Sequence, residues 1–353
     1  MERSRPRCRR LVGAGLALLS ALAATSSAAA PVGEALQRPA LAVKAPQRAV
    51  LLSAAVAGER IVAVGERGIV ALSDDQGATW RQASCPVSVT LTMVRFADAT
   101  RGVAVGHGGT VLTTSDAGAS WTVRLDGRRI AQLARAAART PEAQKEAERL
   151  AADGPDKPLL DVLLWDASRL LVVGAYGLVL HSADGGASWS PWMDRLPNPK
   201  ALHWYVARRS GQTLLLAGEQ GLMARSDDGG QSFKALASPY KGSWFAGEWL
   251  ADGSAVLAGL RGNVWRSQDA GANWTQIASP LPATVNAAAT AADGSLLLAS
   301  QAGVVLRLRG DALQPLNTQA LPMPAALLLL RNGRLLSLGV AGVLPVPGAE
   351  AQP

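Results

Sequence analysis

The 353-residue chain carries 35 Lys and Arg against 27 Asp and Glu, a formal net charge of +8. Five of the arginines and Glu2 lie among the first ten residues, and the remaining counts are 30 against 26, so the charge gives little support for nucleic-acid binding. The two cysteines, Cys8 and Cys85, exclude a disulfide-rich fold.

Residues 1–30 have the pattern of a secretory signal. Arginines precede the apolar run "LVGAGLALLSALAA", and the small residues "TSSAAA" follow it. The run is too short for a comfortable membrane span. The pattern predicts a cleaved signal peptide, export to the periplasm and no membrane span after cleavage. Cleavage would also remove Cys8 and leave Cys85 without an intramolecular partner.

One turn sequence, Ser/Thr-x-Asp-x-Gly-x-x-aromatic, occurs five times, and we call it the Asp box. Its aspartates are Asp75, Asp116, Asp184, Asp228 and Asp269, and its aromatic residues are Trp80, Trp121, Trp189, Phe233 and Trp274. An apolar run broken by Gly-x-x-Gly precedes each box, and two degenerate copies follow near Ser300 and Gly339. The chain therefore contains seven repeat units.

The spacing of the repeats predicts the fold. Successive box aspartates lie 41, 68, 44 and 41 residues apart. A period of about 40–45 residues with frequent turns is typical of four-stranded propeller blades. We therefore predict an all-β fold, a seven-bladed β-propeller over residues 49–346 with a tail at 347–353. Residues 31–48 are expected to complete the last blade, because an open ring would expose sheet edges.

The Asp box itself has a structural explanation. In "SADGGASW", Asp184 can accept hydrogen bonds from backbone N–H groups of its own turn, and Gly186 can adopt a conformation that other residues resist. Trp189 then returns to the sheet and can bury its ring between neighbouring blades. The residue pattern favours a structural role for the box aspartates over a catalytic one.

The long step between the second and third boxes marks an insertion at about residues 128–156. It is rich in Ala, Glu, Arg and Lys, and Thr140 followed by Pro141 is a typical helix start. We predict two helices, at about 128–139 and 141–152. The insertion is either a solvated decoration or a docking element, and its size favours docking because the blades do not need it to close.

The boxes resemble the Asp-box (BNR) repeats of sialidase-type propellers. Residues 45–346 more closely resemble the photosystem II stability/assembly factor-like propellers, including relatives in non-photosynthetic bacteria. The segments that carry this similarity are "DKPLLDV", "GAYG", "AGEQGLMARSDDGG", "SPYKGSWF" and "GLRGNVWRS". The resemblance implies a seven-bladed propeller that is exported and acts as an accessory protein rather than an enzyme.

The up-and-down order of the strands in a blade predicts on which face of the propeller each turn and its variable side chains lie. The Gly-x-x-Gly hairpins and the crossovers between blades open on one face, which the insertion shares, and the Asp boxes open on the other. The expected partner-binding residues on the first face are Arg67, His107, Tyr176, Glu219, Tyr240, Lys241 and Arg261. Aromatic and arginine side chains are typical interface anchors, and the cations could pair with carboxylates. Trp204–Tyr205 and Trp244–Phe245 extend this patch or belong to the blade core.

A glycosidase is the alternative from another class. Sialidase-like enzymes use three arginines and a Tyr–Glu pair, and Tyr176 with Glu219, near Arg67 and Arg261, could imitate that arrangement. The chain lacks the arginine-isoleucine-proline motif of that family and has three tyrosines in all. His107, His181 and His203 lie far apart without metal-ligand spacing. We therefore expect no catalytic residues, no cofactor and no metal site.

The function indicated by these observations is that of a non-catalytic scaffold. We expect an exported, monomeric propeller that binds and helps to assemble a membrane protein complex through the Gly-x-x-Gly face and the insertion. The resemblance implies a membrane-protein client, because that family binds photosystem II intermediates in phototrophs. By analogy with non-photosynthetic relatives, the partner could be an RND/MMPL-type transporter. A sialidase-like glycoside hydrolase or a glycan-binding propeller is the alternative.

Overall fold

Each repeat unit folds into one antiparallel sheet whose strands are hydrogen-bonded in chain order. The computed structural model describes residues 1–2, 34–291 and 293–348, and its main compact unit begins at Glu34. The signal peptide predicted at residues 1–30 lies outside the described residues, apart from Met1 and Glu2. Seven sheets make up the compact unit, so the predicted seven-bladed β-propeller is confirmed.

Six blades have four strands and the seventh has three. The first blade contains β1 (Leu51–Ala57), β2 (Arg60–Gly65), β3 (Val70–Ser73) and β4 (Arg81–Gln82). The second contains β5 (Leu91–Phe96), β6 (Gly102–Gly106), β7 (Val111–Thr114) and β8 (Thr122–Leu125). The third contains β9 (Leu159–Leu164), β10 (Leu170–Gly174), β11 (Val179–Ser182) and β12 (Ser190–Pro191).

The remaining blades follow the same order. The fourth contains β13 (Trp204–Ser210), β14 (Thr213–Gly218), β15 (Met223–Ser226) and β16 (Lys234–Ala235). The fifth contains β17 (Trp244–Trp249), β18 (Ala255–Gly259), β19 (Val264–Ser267) and β20 (Thr275–Ile277). The sixth contains β21 (Val285–Thr290), β22 (Leu296–Ser300), β23 (Val305–Arg309) and β24 (Ala312–Pro315), and the seventh contains β25 (Pro324–Leu329), β26 (Leu335–Gly339) and β27 (Gly342–Pro345).

The first strand of each blade lines a central channel. These strands contact one another in ring order, and β25 contacts β1 to close the ring. The second strand of each blade is buried along almost its whole length, as in β10, where all five residues are buried. A sheet that is covered on both faces needs apolar residues at every position. The core is accordingly a series of apolar layers between adjacent blades, such as Val62 and Leu72 against Val94 and Leu112.

The Asp boxes join the third and fourth strands and satisfy their own polar groups. Asp184 accepts bonds from the backbone N–H and the hydroxyl of Ser188, at 2.8 and 2.6 Å. Ser182 donates its hydroxyl to Asp184 and accepts the N–H of Gly186, which has φ +88°. The indole N–H of Trp189 donates to the Gly186 carbonyl at 3.0 Å, and this ring is 6% exposed. The box aspartates therefore hold their own turns in place.

Two helices occupy the crossover from the second blade to the third. They are α1 (Gly127–Ala137) and α2 (Pro141–Ala152), close to the predicted bounds. The Asp126 and Thr140 side chains cap them by accepting the N–H groups of Arg129 and Ala143. Ile130 anchors α1 in the apolar layer between these two blades. Within the described part of the chain, no helix has the length and hydropathy needed to cross a membrane.

The N-terminal segment differs from the prediction. We expected residues 31–48 to complete the last blade, but the described part, residues 34–48, adds no strand to that three-stranded sheet. Instead, Ala40 donates to the Cys85 carbonyl, and Gln82 bonds the backbone of Leu41 and Val43. Prolines in this segment, which have no N–H to donate, limit strand pairing.

The segment still reaches the last blade through a turn. A short 3₁₀ turn at Pro46–Arg48 packs against β27. The Gln47 carbonyl approaches Gly342 so closely that a Cβ there would lie 2.0 Å from its oxygen, and Gly342 has φ +80°. Backbone contact at a glycine thus replaces the expected fourth strand.

The buried box tryptophan should contribute strongly to stability. Trp189→Ala should lower the free energy of unfolding by about 3–5 kcal/mol, because the cavity cannot be refilled by the fixed blades. Trp80→Ala, which removes a partly exposed box ring, should cost less. Urea denaturation followed by fluorescence measures both. A loss below about 1 kcal/mol for Trp189→Ala would contradict an anchoring role.

The box carboxylates should also set the response to acid. The hydroxyl and N–H of Ser188 lower the pKa of Asp184 from 3.8 to about 2. Ionised Asp184 therefore stabilises the fold above its unfolded pKa, and this contribution is lost as the pH falls towards about 2. Asp184→Asn should show a smaller loss of unfolding free energy than the wild type over this range, in urea titrations at several pH values. Asp156→Asn, at an exposed residue without a box, should keep the wild-type dependence, and so would Asp184→Asn if the argument failed.

Candidate functional site

The Gly-x-x-Gly turns and the crossovers meet on one face of the ring, which we call the tip face. The turns are 3₁₀ turns at Glu66–Gly68, His107–Gly109, Ala175–Gly177, Glu219–Gly221 and Leu260–Gly262. Backbone bonds join them to the crossovers, as from Gly109 N–H to the Lys157 carbonyl at 2.8 Å. The insertion helices lie in such a crossover and share this face.

Four of these turns hold a non-glycine residue in the left-handed conformation. Arg67, Tyr176, Gln220 and Arg261 have φ between 53° and 56°, and all four are exposed. This conformation costs an L-residue about 1–2 kcal/mol. In the second blade glycine takes the position instead, and the predicted residue His107 precedes it. The left-handed conformation is not confined to the tip face, because Ala117 and Ala270 adopt it in Asp boxes.

The structure brings Tyr176 into a row of aromatic rings. The ring of Tyr176 lies 5.0 Å from that of His203, which lies 6.1 Å from Tyr205, which lies 5.0 Å from Phe245. This aromatic row crosses the third, fourth and fifth blades from the turn of Tyr176 to the wall of the channel. His203 was missed as a site residue from the sequence. Its place directly before Trp204–Tyr205 in a crossover was the available signal.

Glu219 has a structural task within its own blade. Its carboxylate accepts the backbone N–H of His203 at 3.1 Å and lies 3.0 Å from His203 Nδ1. Glu66 does the same in the first blade, accepting the N–H of Val50 at 3.0 Å. Each acid thus caps the backbone that leads into the first strand of its blade. Among the hydrogen bonds of the described residues none joins Tyr176 to Glu219 as in a sialidase-like pair, and His203 contacts both side chains.

The other predicted residues divide into core and surface. Tyr240 donates its hydroxyl to the Leu260 carbonyl at 3.2 Å and packs edge-on against Trp244, which is fully buried. Trp204 is fully buried too, so both tryptophans belong to the blade core. By contrast, the exposed cations Arg67, Lys241 and Arg261 take part in none of the ion pairs found among the described residues. Their part in partner binding stays a prediction.

A charge network runs along the channel wall through four neighbouring blades. Asp161 is 1% exposed and lies 3.2 Å from Arg95 and 2.5 Å from Arg208, while Arg208 lies 3.0 Å from Glu248. These four residues come from the first strands of four successive blades and border a cavity of about 520 Å³. The sequence signal was a charge within each otherwise apolar strand, single in three of them and followed by Arg209 in β13.

The network is electrically balanced. Burial opposes ionisation of Asp161, but the charges of Arg208 and Arg95 outweigh it and lower the pKa of the carboxyl group. Burial likewise opposes the charge of Arg208, and Asp161 and Glu248 raise its pKa above the ordinary value. Asp161 also accepts the N–H of Ala207 at 3.0 Å, which ties the third blade to the fourth. The network therefore links neighbouring blades, and we call these four residues the channel clasp.

Metal binding finds no support in the side chains that the structure describes. Among those residues, His, Cys, Asp and Glu nowhere form a group of three or more suited to hold a metal ion. His181 instead stacks on Trp192 at 4.2 Å, and burial together with Arg195 and Arg169 lowers its pKa.

Comparison with known proteins finds related propellers. The family model for the Photosynthesis system II assembly factor YCF48 matches residues 142–308, just under half of the chain. The resemblance to photosystem II assembly factor-like propellers is confirmed. No curated protein sequence matches the chain.

Solved structures share the fold at low identity. YCF48 bound to D1 peptide is 17% identical with a TM-score of 0.63, over 88% of this chain and 98% of that one. YCF48 from Cyanidioschyzon merolae is 15% identical with a TM-score of 0.61, over 84% and 95%. Virginiamycin B lyase from Staphylococcus aureus is 9% identical with a TM-score of 0.65, over 88% and 97%. Because an enzyme is among them, the fold alone does not decide between binding and catalysis.

The channel clasp should be sensitive to loss of its acid. Asp161→Asn should lower the free energy of unfolding by about 3–5 kcal/mol, because it leaves buried Arg208 without its main counter-charge. As a control, Asp74→Asn breaks two ion pairs, with Arg60 and Arg81, whose shared acid is 52% exposed, and should cost less than about 1 kcal/mol. Urea denaturation compares the two variants, and equal losses would refute the clasp.

Proposed function

We propose that the chain is an exported, non-catalytic propeller scaffold that binds a segment of a membrane protein on its tip face and helps to assemble a membrane complex. The observation that carries the proposal is the aromatic row, which begins at a half-exposed, left-handed Tyr176 beside the insertion. The similarity of the chain to YCF48, which is described bound to D1 peptide, supports a peptide segment as the ligand.

The residue types of the tip face favour binding over hydrolysis. Both acids of the turns, Glu66 and Glu219, already accept backbone N–H groups, so neither is a free general acid. Tyrosine and arginine on a surface of small residues are the usual anchors of protein interfaces. Arg67, Lys241 and Arg261 can form charge-assisted bonds to carboxylates of a partner.

We also propose where the chain acts and which class of membrane protein it binds. Export rests on the signal-like sequence of residues 1–30. For a chain outside a photosynthetic setting, an RND/MMPL-type transporter is the membrane protein that we propose, by analogy with related propellers.

The left-handed turns allow an unusually clean test. Replacing Arg67, Tyr176, Gln220 and Arg261 together by glycine removes the projecting side chains. Each change relieves a strained φ but adds unfolded-state entropy, two opposing effects of about 1 kcal/mol that nearly cancel, and the main loss of stability should come from the contacts of the Tyr176 ring with His203 and Lys157. The matched control replaces Gln76, Ala117 and Ala270 by glycine. These residues are also left-handed, but they lie in Asp boxes on the opposite face.

The measurement is cross-linking in intact cells, followed by purification of the tagged protein and mass spectrometry. A membrane protein should be recovered with the wild type and with the Asp-box control, and should be lost with the tip-face variant. Thermal unfolding of all three proteins checks that they are folded. Undiminished recovery with a folded tip-face variant would overturn the proposal.

A further inference from the structure

A groove separates the insertion from the body of the ring. It has a volume of about 450 Å³ and lies between α1 and α2 on one side and the crossover from the third blade to the fourth on the other. Its walls are largely apolar, with Ala134, Ala143 and Leu150 on the helices and Leu178, Met193 and Ala201 on the ring. The groove borders Tyr176, so it continues the aromatic row outward.

Lys157 lines this groove with a buried charge whose two polar contacts are long. Its side chain is 8% exposed, and Nζ lies 3.5 Å from Asp153 Oδ2 and 3.4 Å from the Gly154 carbonyl. The Tyr176 ring covers it at 5.4 Å. Charge-assisted bonds are usually about 2.7–2.9 Å long, and an ammonium has three donors. Both contacts of Lys157 are longer than those of Arg208, whose partners lie at 2.5 and 3.0 Å, and the third ammonium donor can still take a further acceptor.

We propose that the groove binds an extended peptide segment in which one acidic side chain lies between apolar residues. The carboxylate bonds Lys157 Nζ beneath Tyr176, and the apolar neighbours pack on the alanine and leucine walls. This inference rests on the proposed function and specifies the chemistry of the partner segment.

The surrounding charges suit a single carboxylate. Three acids line the groove: Glu146 is paired with Arg149 at 3.0 Å, Asp153 is 49% exposed, and Asp194 is exposed too, so water screens all three more than it screens Lys157. A run of acids would meet repulsion from them. A chain terminus is usually captured by several converging backbone N–H groups, whereas the buried donor of this groove is one ammonium. An internal acidic side chain is therefore the better match.

Fluorescence anisotropy with synthetic peptides tests the inference. The probe is a short peptide, labelled at its N-terminus and amidated at its C-terminus, with one Glu flanked by Leu and Val and with polar ends for solubility. The Glu peptide should bind the wild-type protein saturably, and the matched Gln peptide should bind about tenfold more weakly, because a neutral amide forms no charge-assisted bond with the ammonium. An unamidated Gln peptide that binds as tightly as the Glu peptide would assign the site to a chain terminus and refute the inference.

Two variants with matched controls locate the binding. Lys157→Met should abolish the preference for Glu over Gln, whereas Lys145→Met, at an exposed lysine of α2 that does not line the groove, should keep it. Ala143→Phe should fill the groove and weaken both peptides by about tenfold or more, whereas Ala152→Phe, at an exposed alanine of the same helix, should not. No saturable binding of the Glu peptide up to about 1 mM, or an unchanged preference in folded Lys157→Met, would overturn the inference.

The cross-linking experiment distinguishes failure of the groove inference from failure of the proposed function. If Ala143→Phe and Lys157→Met still recover the membrane protein in the cross-linking experiment while the tip-face variant loses it, the groove inference is wrong and the proposed function stands. If no variant changes the recovery, both are wrong.

Discussion

Burial of every blade on both faces is the constraint on which the rest of the molecule depends. The second strands are apolar throughout because neighbouring blades cover them from both sides. The first and last blades are covered on both faces because the ring closes between them. Polar chemistry is thereby confined to the turns and to the few inward-facing positions of the first strands. The charge network of the channel uses those positions to join four blades.

The two turn positions of the tip face divide structural and exposed roles. The first position holds Glu66 or Glu219, whose carboxylate stabilises the entry to its own blade. The next position holds Arg67 or Gln220, exposed and left-handed. Residues that are adjacent in sequence thus differ in what they can offer a partner. Glu219, which the sequence placed among the binding residues, contributes first to the fold.

Much of the fold could be predicted because its signals are local. The Asp boxes, the Gly-x-x-Gly turns and the cap of α2 at Thr140 each depend on a few consecutive residues. The path of residues 40–48 could not, because it depends on contacts with Gln82 and Gly342 from opposite ends of the chain. The link from Tyr176 through His203 to Glu219 was hidden for the same reason, since it joins residues of two blades. Buried Lys157 resembled an ordinary surface lysine in the sequence.

The outer rim of the ring has a consequence of its own. The outermost strands are two to four residues long, and β12, β24 and β27 each end at a proline. A strand from another molecule would find few donors and acceptors there, and proline supplies no N–H at all. Edge-to-edge pairing between molecules is therefore weak even at high protein concentration. Exposed aromatic residues can lie on one face while the sheet edges do not promote fibril formation.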